Sequence, residues 1–515
     1  MAVRILFAFT VYLGLLLGLA SLHPPGQPSA ERSPARLPLQ VKSLRTAIQH
    51  RVDEGKLASV FIAVVKDGEV AWQETFGWED KEAKIKATPQ TVYALGSLSK
   101  SITATGVLGL VQEGRIKLDQ PVIPLIAPRR VRFFRGKPED LTVRRVLNMT
   151  GGIPHGWACY PPGRIPASAA FFARTALVVF PPGGTSHYAN NSYAIAGQLV
   201  ESCSGSSFSA FMDSRVFRPL GMTRTWVGWR KASGVAGMYD ATGKRLKPYD
   251  FSPAAAAGMW SSGHDLIRYA MFHLGQVAKG EKVGSGHPLL SRSLLDQMHF
   301  ERPRDVPAAV MALGWGSAEL EGGLRWLVSN GSVHGGTSAL FLLPDHRLAV
   351  ICLTNSTSNG AADEVASEAL DAWHPGFKAK LEKGIKAFQG QHHRGWKRDE
   401  RVNGQWTGHI DGNGGSVPVT LDFSADDNVL ARVRRGKGSV VEGLRWEAGF
   451  LTGSFKLMAP MDGYSEGVPD KVELCLLPEK EEMHGYASFV IPGEYGSFSF
   501  PAYIRLRRSG QADGD

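Results

Sequence analysis

The dipeptide Asp67-Gly68 sets the first constraint on how this chain can fold. It separates two runs rich in β-branched and aromatic residues, 59–65 and 69–76. A two-residue Asp-Gly connection between such runs specifies an antiparallel hairpin, because both central residues of its turn take positive φ. Ahead of the hairpin, Leu44, Ala47, Ile48 and Val52 recur at helical spacing over 41–54. A second strand group lies far downstream at 324–328, 338–343 and 347–353, the last two joined by Pro344-Asp345-His346. A helical pattern over 361–373 follows it. Between the two groups the pattern is mostly helix and loop. Antiparallel strands with helices segregated around them give an α+β class and not the alternating parallel βαβ order. The expectation is an antiparallel sheet flanked by helices, in a domain covering 41–375.

Past Pro375 the character of the chain changes. Residues 376–403 are dense in Lys, Arg and His and read as a basic linker. Over 404–511, short alternating segments (417–422, 429–433, 471–477) are separated by Gly, Asp and Pro, the pattern of an all-β domain, for which a barrel is one closed form. At the other end, residues 1–22 carry Arg4, an apolar run over 5–19 and small residues Gly18 and Ala20, which read as a secretory signal or an N-terminal anchor. A Pro- and Ser-rich linker, 23–40, follows. The expected location is therefore secreted, periplasmic or in the cell envelope.

With 43% hydrophobic and 21% charged residues, the 515-residue chain is neither disordered nor collagen-like as a whole. Its 58 Lys+Arg against 48 Asp+Glu leave a net charge of +10. The basic clusters Arg129, Arg130, Arg132, Arg135 and Arg432, Arg434, Arg435, Lys437 accompany no nucleic-acid motif, so nucleic acid is not an expected partner. The expected partners are a small-molecule or peptide substrate and an anionic cell-envelope polymer. Oligomeric state is open. Cys159, Cys203, Cys352 and Cys475 are too sparse for a disulfide scaffold, though one pair has room to form in an exported protein. No C-x-x-C or H-E-x-x-H pattern occurs, and neither metal nor other cofactor is expected.

The chemistry-bearing stretch is Ser97-Leu98-Ser99-Lys100. A helix over 98–113, stopped by Gly114, would place Ser97 at its N-terminus and Lys100 on the same face. A serine hydroxyl needs a base to become a nucleophile, and a lysine kept from water can serve as one. The helix N-terminus favours negative charge developing beside Ser97. Two further motifs follow in order: Tyr188-Ala189-Asn190 ahead of a helical segment, and His334-Gly335-Gly336 between strands. A literal G-x-S-x-G at 463–467 lacks the strand before and helix after that a nucleophile elbow requires, and Pro469 follows it closely.

The ordered set Ser-x-x-Lys, Tyr-x-Asn, His-x-Gly resembles the serine β-lactamase and penicillin-binding-protein superfamily, in its class C β-lactamase-like branch of D-aminopeptidases, D-alanyl-D-alanine carboxypeptidases and esterases. Pro219-Leu220-Gly221-Met222, Ala257-Gly258-Met259 and Gly314-Trp315 extend the likeness. The resemblance implies a β-lactamase/transpeptidase-like fold and a serine acyl-hydrolase acting on a D-residue peptide or a small ester or amide. A β-lactamase, or a penicillin-binding sensor with little turnover, is the alternative. Ser97 would be the acylated nucleophile, Lys100 its base and Tyr188 a shared general acid/base. Asn190 would bind the substrate amide or order Lys100. His334 would stand at the lysine position of K-T-G, with Gly335 and Gly336 lining an edge strand and the Ser97 and Thr337 amides forming the oxyanion hole. A neutral His334 in place of that lysine weakens the case for a dedicated β-lactamase.

Overall fold

A computed structural model describes residues 39–509 apart from 167, 277–288, 307, 359, 413–414, 425–427, 435 and 458–465. The N-terminal segment up to residue 38 and Gly463–Ser465 of the G-x-S-x-G sequence lie outside the described residues. Helix α1 (Leu39–Asp53) leads into β1 (Ser59–Lys66) and β2 (Glu69–Asp80), with β3 (Ile85–Lys86) beyond. Between β1 and β2, Asp67 and Gly68 take φ of 54° and 83°, the two positive values of a type I′ turn. Strand β4 (Val92–Ala94) runs through a 3₁₀ turn, Gly96–Leu98, into α2 (Ser99–Gln112), and α3 (Asn190–Ser204) packs beside it. Then β5 (Gly316–Leu320), β6 (Leu324–Val333), β7 (Gly336–Leu343) and β8 (Leu348–Thr354) complete the sheet, followed by α4 (Ala361–Trp373). The antiparallel order is β5-β6-β7-β8-β1-β2-β3, so the two ends of the domain meet where β8 pairs with β1.

Strand alternation explains the layering. Phe61, Ala63 and Val65 of β1 face one core with α2 and α3, while Val60, Ile62 and Val64 face a second with α1 and α4. A strand buried on both faces reads as a continuous apolar run, as Val60–Val65 does. Each such Val or Ile contributes about 1.5–3 kcal/mol through burial.

Three expectations need correction. Residues 376–403 are no linker: α5 (Phe377–His392) lays Phe377, Leu381 and Ile385 onto the α1/α4 core, and Phe388 is buried as well. That stripe recurs every three to four residues, and the basic residues between hid it. After α5, the strand His393–Gly395 pairs directly with Glu442–Glu447 of the C-terminal domain. Second, β7 is not an edge strand, since β6 and β8 ladder onto both its sides.

Third, the C-terminal domain is all-β as expected, but among the described residues its ten-stranded antiparallel sheet is not closed into the barrel named as one form. The order opens with His393–Gly395 and ends with Ser439–Val440. It curls about a core including Trp406, Phe455, Leu474 and Phe489. Ser439 Oγ reaches Lys456 O at 2.8 Å without ladder bonds to that strand. The domain docks through apolar contacts: Leu177, Val179 and Phe180 meet Phe450, Tyr486 and Tyr503, while Tyr160 and Phe171 meet Phe498 and Phe500. All four cysteines are free thiols, and no helix among the described residues is long and apolar enough to cross a membrane.

Candidate active site

Ser97 sits in the 3₁₀ turn between β4 and α2. Gly96 just before it takes φ +55°, and a Cβ there would stand 2.9 Å from Ser332 N. Glycine is therefore required on two counts, conformation and close approach. One turn into α2, the Lys100 side chain returns to this serine: Nζ donates to Ser97 Oγ at 3.0 Å and to Ala256 O at 3.0 Å. Lys100 is 2% exposed, and burial drives its pKa well below the ordinary lysine value of 10.5. A neutral amine is the form that can take the Ser97 proton.

From the segment entering α3, the Tyr188 hydroxyl donates to Ser97 Oγ at 2.7 Å. Burial pushes its pKa up to about 12, partly offset by the Ser97 contact, so the phenol keeps its proton at neutral pH. Lys100 Nζ lies 4.8 Å from the Tyr188 ring centroid and 5.8 Å from that of Tyr193. Ser97, Lys100 and Tyr188 are thus assembled from the β4–α2 junction and the segment entering α3, 91 residues of chain apart at their farthest. Asn190 caps the same wall. Its main-chain N–H donates to His155 Nδ1 at 3.2 Å, while its side-chain Oδ1 is buried with no hydrogen-bond partner.

The strand-side expectation does not hold. His334 and Gly335 form the two-residue turn between β6 and β7, with Val333 opposite Gly336. Tyr249 donates to the His334 carbonyl at 2.9 Å, and a Cβ on Gly335 would press against Met238. Thr337 pairs with Thr354 of β8, and its hydroxyl lies 2.8 Å from that of Thr354. Since Val333 and Gly336 close the turn, they form the hydrogen-bonded pair, and Ser332 with Thr337 the non-bonded one. The Thr337 amide therefore points into the β8 ladder and is not available for an oxyanion.

What lies against Ser97 is the end of β6. A Cβ on Gly331 would collide with Leu95 O and stand 2.6 Å from Ser97 N. The Ser332 amide is directed out of the hairpin on the Gly96–Ser97 side. Ser329 Oγ donates to Ser101 Oγ at 2.8 Å below the site, and Asn330 Nδ2 donates to Asp363 Oδ1 at 2.7 Å. Ser329-Asn330-Gly331, not His334-Gly335-Gly336, is the strand segment beside Ser97. Its signal was a glycine inside a strand, which marks close backbone approach. Polar Ser329-Asn330 made the strand seem to stop at 328.

Behind Tyr188, a largely enclosed cavity of about 50 Å³ lies between the domains, walled by Met149, His187, Tyr188, Met311, Phe450 and Cys475 among others. It has room for about three or four waters. On the other side, His155 and Trp157 line the wall, their rings 5.1 Å apart, with His155 5.5 Å from Tyr188. Among the described residues no group of three or more His, Cys, Asp or Glu could hold a metal ion.

Comparison with known proteins bears on the family and the fold. The beta-lactamase family matches residues 44–372. Protein flp of Staphylococcus aureus (strain COL) is 24% identical over 333 residues, 62% of this chain and 63% of that protein. The match thus spans less than two thirds of that relative's length. Among solved structures, the octameric penicillin-binding protein homologue from Pyrococcus abyssi superposes with a TM-score of 0.55 at 23% identity, over 90% of this chain and 99% of that one. The D-amino acid amidase from Ochrobactrum anthropi SV3, complexed with L-phenylalanine, gives 0.52 at 21% identity, over 65% and 98%. At these identities the superpositions speak to fold, and the first of them extends through the C-terminal sheet. The family match covers well over half of the chain, and the chain belongs to the beta-lactamase family of hydrolases.

Proposed function

We propose that the protein is an exported serine acyl-hydrolase that forms an acyl-enzyme on Ser97 and cleaves a D-residue-containing peptide or a small ester or amide. The observation that carries this is the convergence of Lys100 Nζ, at 3.0 Å, and Tyr188 OH, at 2.7 Å, on one serine oxygen. Ser97 Oγ attacks the carbonyl carbon as its proton passes to the neutral Lys100 amine. The oxyanion forms against the Ser97 and Ser332 amides at the helix start. Tyr188 gives its proton to the departing amine or alcohol and recovers one from Lys100, so the serine proton ends on the leaving group. Water then repeats the sequence in reverse on the acyl-enzyme.

The substrate class rests on the strand. Ser329, Asn330 and Gly331 carry no charge, so the segment beside the nucleophile suits a neutral amide or ester better than a fixed carboxylate. The fold shared with a D-amino acid amidase supports the same class. A penicillin-binding role with little turnover is the second reading, supported by the likeness to the Pyrococcus abyssi homologue over 90% of this chain. Export rests on the apolar run at 5–19.

Intact mass after mixing with a fluorophosphonate, and separately with a penicillin, tests the reading beside Ser97→Ala. An adduct present in the native protein and lost in the variant is expected. Rapid release of opened penicillin would instead mark a β-lactamase, and a lasting penicillin adduct the penicillin-binding role. Equal labelling of Ser97→Ala would remove Ser97 as nucleophile.

A further inference from the structure

Both loops that flank Tyr188 are held from the C-terminal domain. His187, immediately before Tyr188, has its Nε2 2.6 Å from the Tyr486 hydroxyl and its Nδ1 3.9 Å from Cys475 Sγ. The Tyr486 and Phe450 rings enclose the imidazole at 5.2 and 5.5 Å. On the opposite side, the backbone of His155 interacts with the same Tyr486 oxygen, and Ser488 Oγ donates to His155 O at 3.4 Å. Two residues on, Trp157 and Ser499 exchange main-chain hydrogen bonds at 3.1 and 2.7 Å. One phenol oxygen is therefore shared between the segment carrying Tyr188 and the loop whose imidazole receives the Asn190 amide.

We propose that Tyr486 is a positioning residue of the active site, through which the C-terminal domain sets the place of Tyr188; this rests on the acyl-hydrolase reading above. The Tyr486 hydroxyl thus bridges His187 Nε2 and the main chain of His155, while His187 Nδ1 faces Cys475 Sγ. Burial holds His187 down to about 4 and Tyr486 well above its ordinary value of 10, and burial likewise raises Cys475. Every member of the chain is neutral at pH 7. The network is accordingly a fixed brace and no proton store. Without the Tyr486 hydroxyl, His187 keeps its aromatic enclosure but loses the bond that fixes its rotation, and Tyr188 is the next residue along.

The test compares Tyr486→Phe with Tyr503→Phe, a phenol of the same domain stacked at 4.3 Å on Phe134. Two measurements are made on the full chain. Hydrogen exchange of the peptide covering 185–190 is expected to quicken about tenfold in Tyr486→Phe, the factor that losing one hydrogen bond of about 1.4 kcal/mol allows, and to stay unchanged in Tyr503→Phe. The maximal rate of Ser97 labelling by a fluorophosphonate is expected to fall about tenfold in Tyr486→Phe with little change in probe affinity. In a Tyr188→Phe background the same substitution is expected to cost less than about twofold, because its effect passes through Tyr188. Unchanged exchange around Tyr188 would overturn the inference. So would a full tenfold loss that persists in the Tyr188→Phe background, which would mark a general structural effect. A native protein that takes no label at all would overturn the acyl-hydrolase reading, while the exchange comparison still decides the brace.

Discussion

Replacing Lys100 with methionine should move stability and activity in opposite directions, and the stability part can be worked out as a function of pH. Met matches the unbranched stem of lysine and its helix propensity, so α2 is undisturbed. In the folded protein the amine is depressed well below 10.5, and burial is the cause. Between the folded value and 10.5 the unfolded chain binds a proton that the folded chain does not. Unfolding therefore takes up one proton throughout this window, and stability rises with pH across it. The contribution is fully present above about 10.5 and is lost as pH falls toward the folded value. Its slope is about 1.4 kcal/mol per pH unit, so two units inside the window amount to about 2.7 kcal/mol.

Lys100→Met has no such proton. Urea denaturation of both proteins at pH 7.5, 8.5 and 9.5 isolates the lysine, because the other titrating groups cancel in the difference. Native stability should gain on the variant by the stated slope, with the variant at least as stable at the lowest pH. Ser97 labelling by a fluorophosphonate should meanwhile fall about 10²- to 10⁴-fold, or about 3–5 kcal/mol of barrier. A stability difference independent of pH would mean that Lys100 is charged when folded, and the base role assigned to it would be refuted.

Two substitutions separate the ends of the β6–β7 hairpin. Gly331→Ala puts a methyl group into Leu95 O and 2.6 Å from Ser97 N, so it should cost about 2–3 kcal/mol of stability and abolish Ser97 labelling; a folded, fully active variant would show that β6 does not face the nucleophile. His334→Ala, at the turn with its carbonyl held by Tyr249, should leave the labelling rate within about twofold, since only main-chain atoms there are bonded; a tenfold loss measured under the same conditions would restore the imidazole to the site.

Local signals were legible before any tertiary structure. The Asp67-Gly68 turn, the helix that starts after Ser97 and the Tyr-x-Asn ahead of α3 depend on a few neighbouring residues, and periodicity or turn chemistry is enough to find them. The basic residues of 376–403 suggested solvent, yet four apolar positions decide that segment, since they have a core to cover. Only at the level of packing does the strand side of the site become defined. His-x-Gly was the recognisable pattern, but the residues that reach Ser97 are Gly331 and Ser332. Pairing alternates along a hairpin, so the turn at His334-Gly335 determines which amides are spent in the ladder and which face outward.

The local patterns and motifs of this chain determine an α+β domain and the local settings of Ser97, Lys100 and Tyr188, because each sits at a position its own neighbours specify. Tertiary structure alone decides the depressed pKa of Lys100, the placing of Ser332 and not Thr337 beside Ser97 and the contact of His187 with Tyr486. Each of these depends on dehydration, strand register or contact between groups hundreds of residues apart, and none of those quantities is a property of a local stretch of sequence.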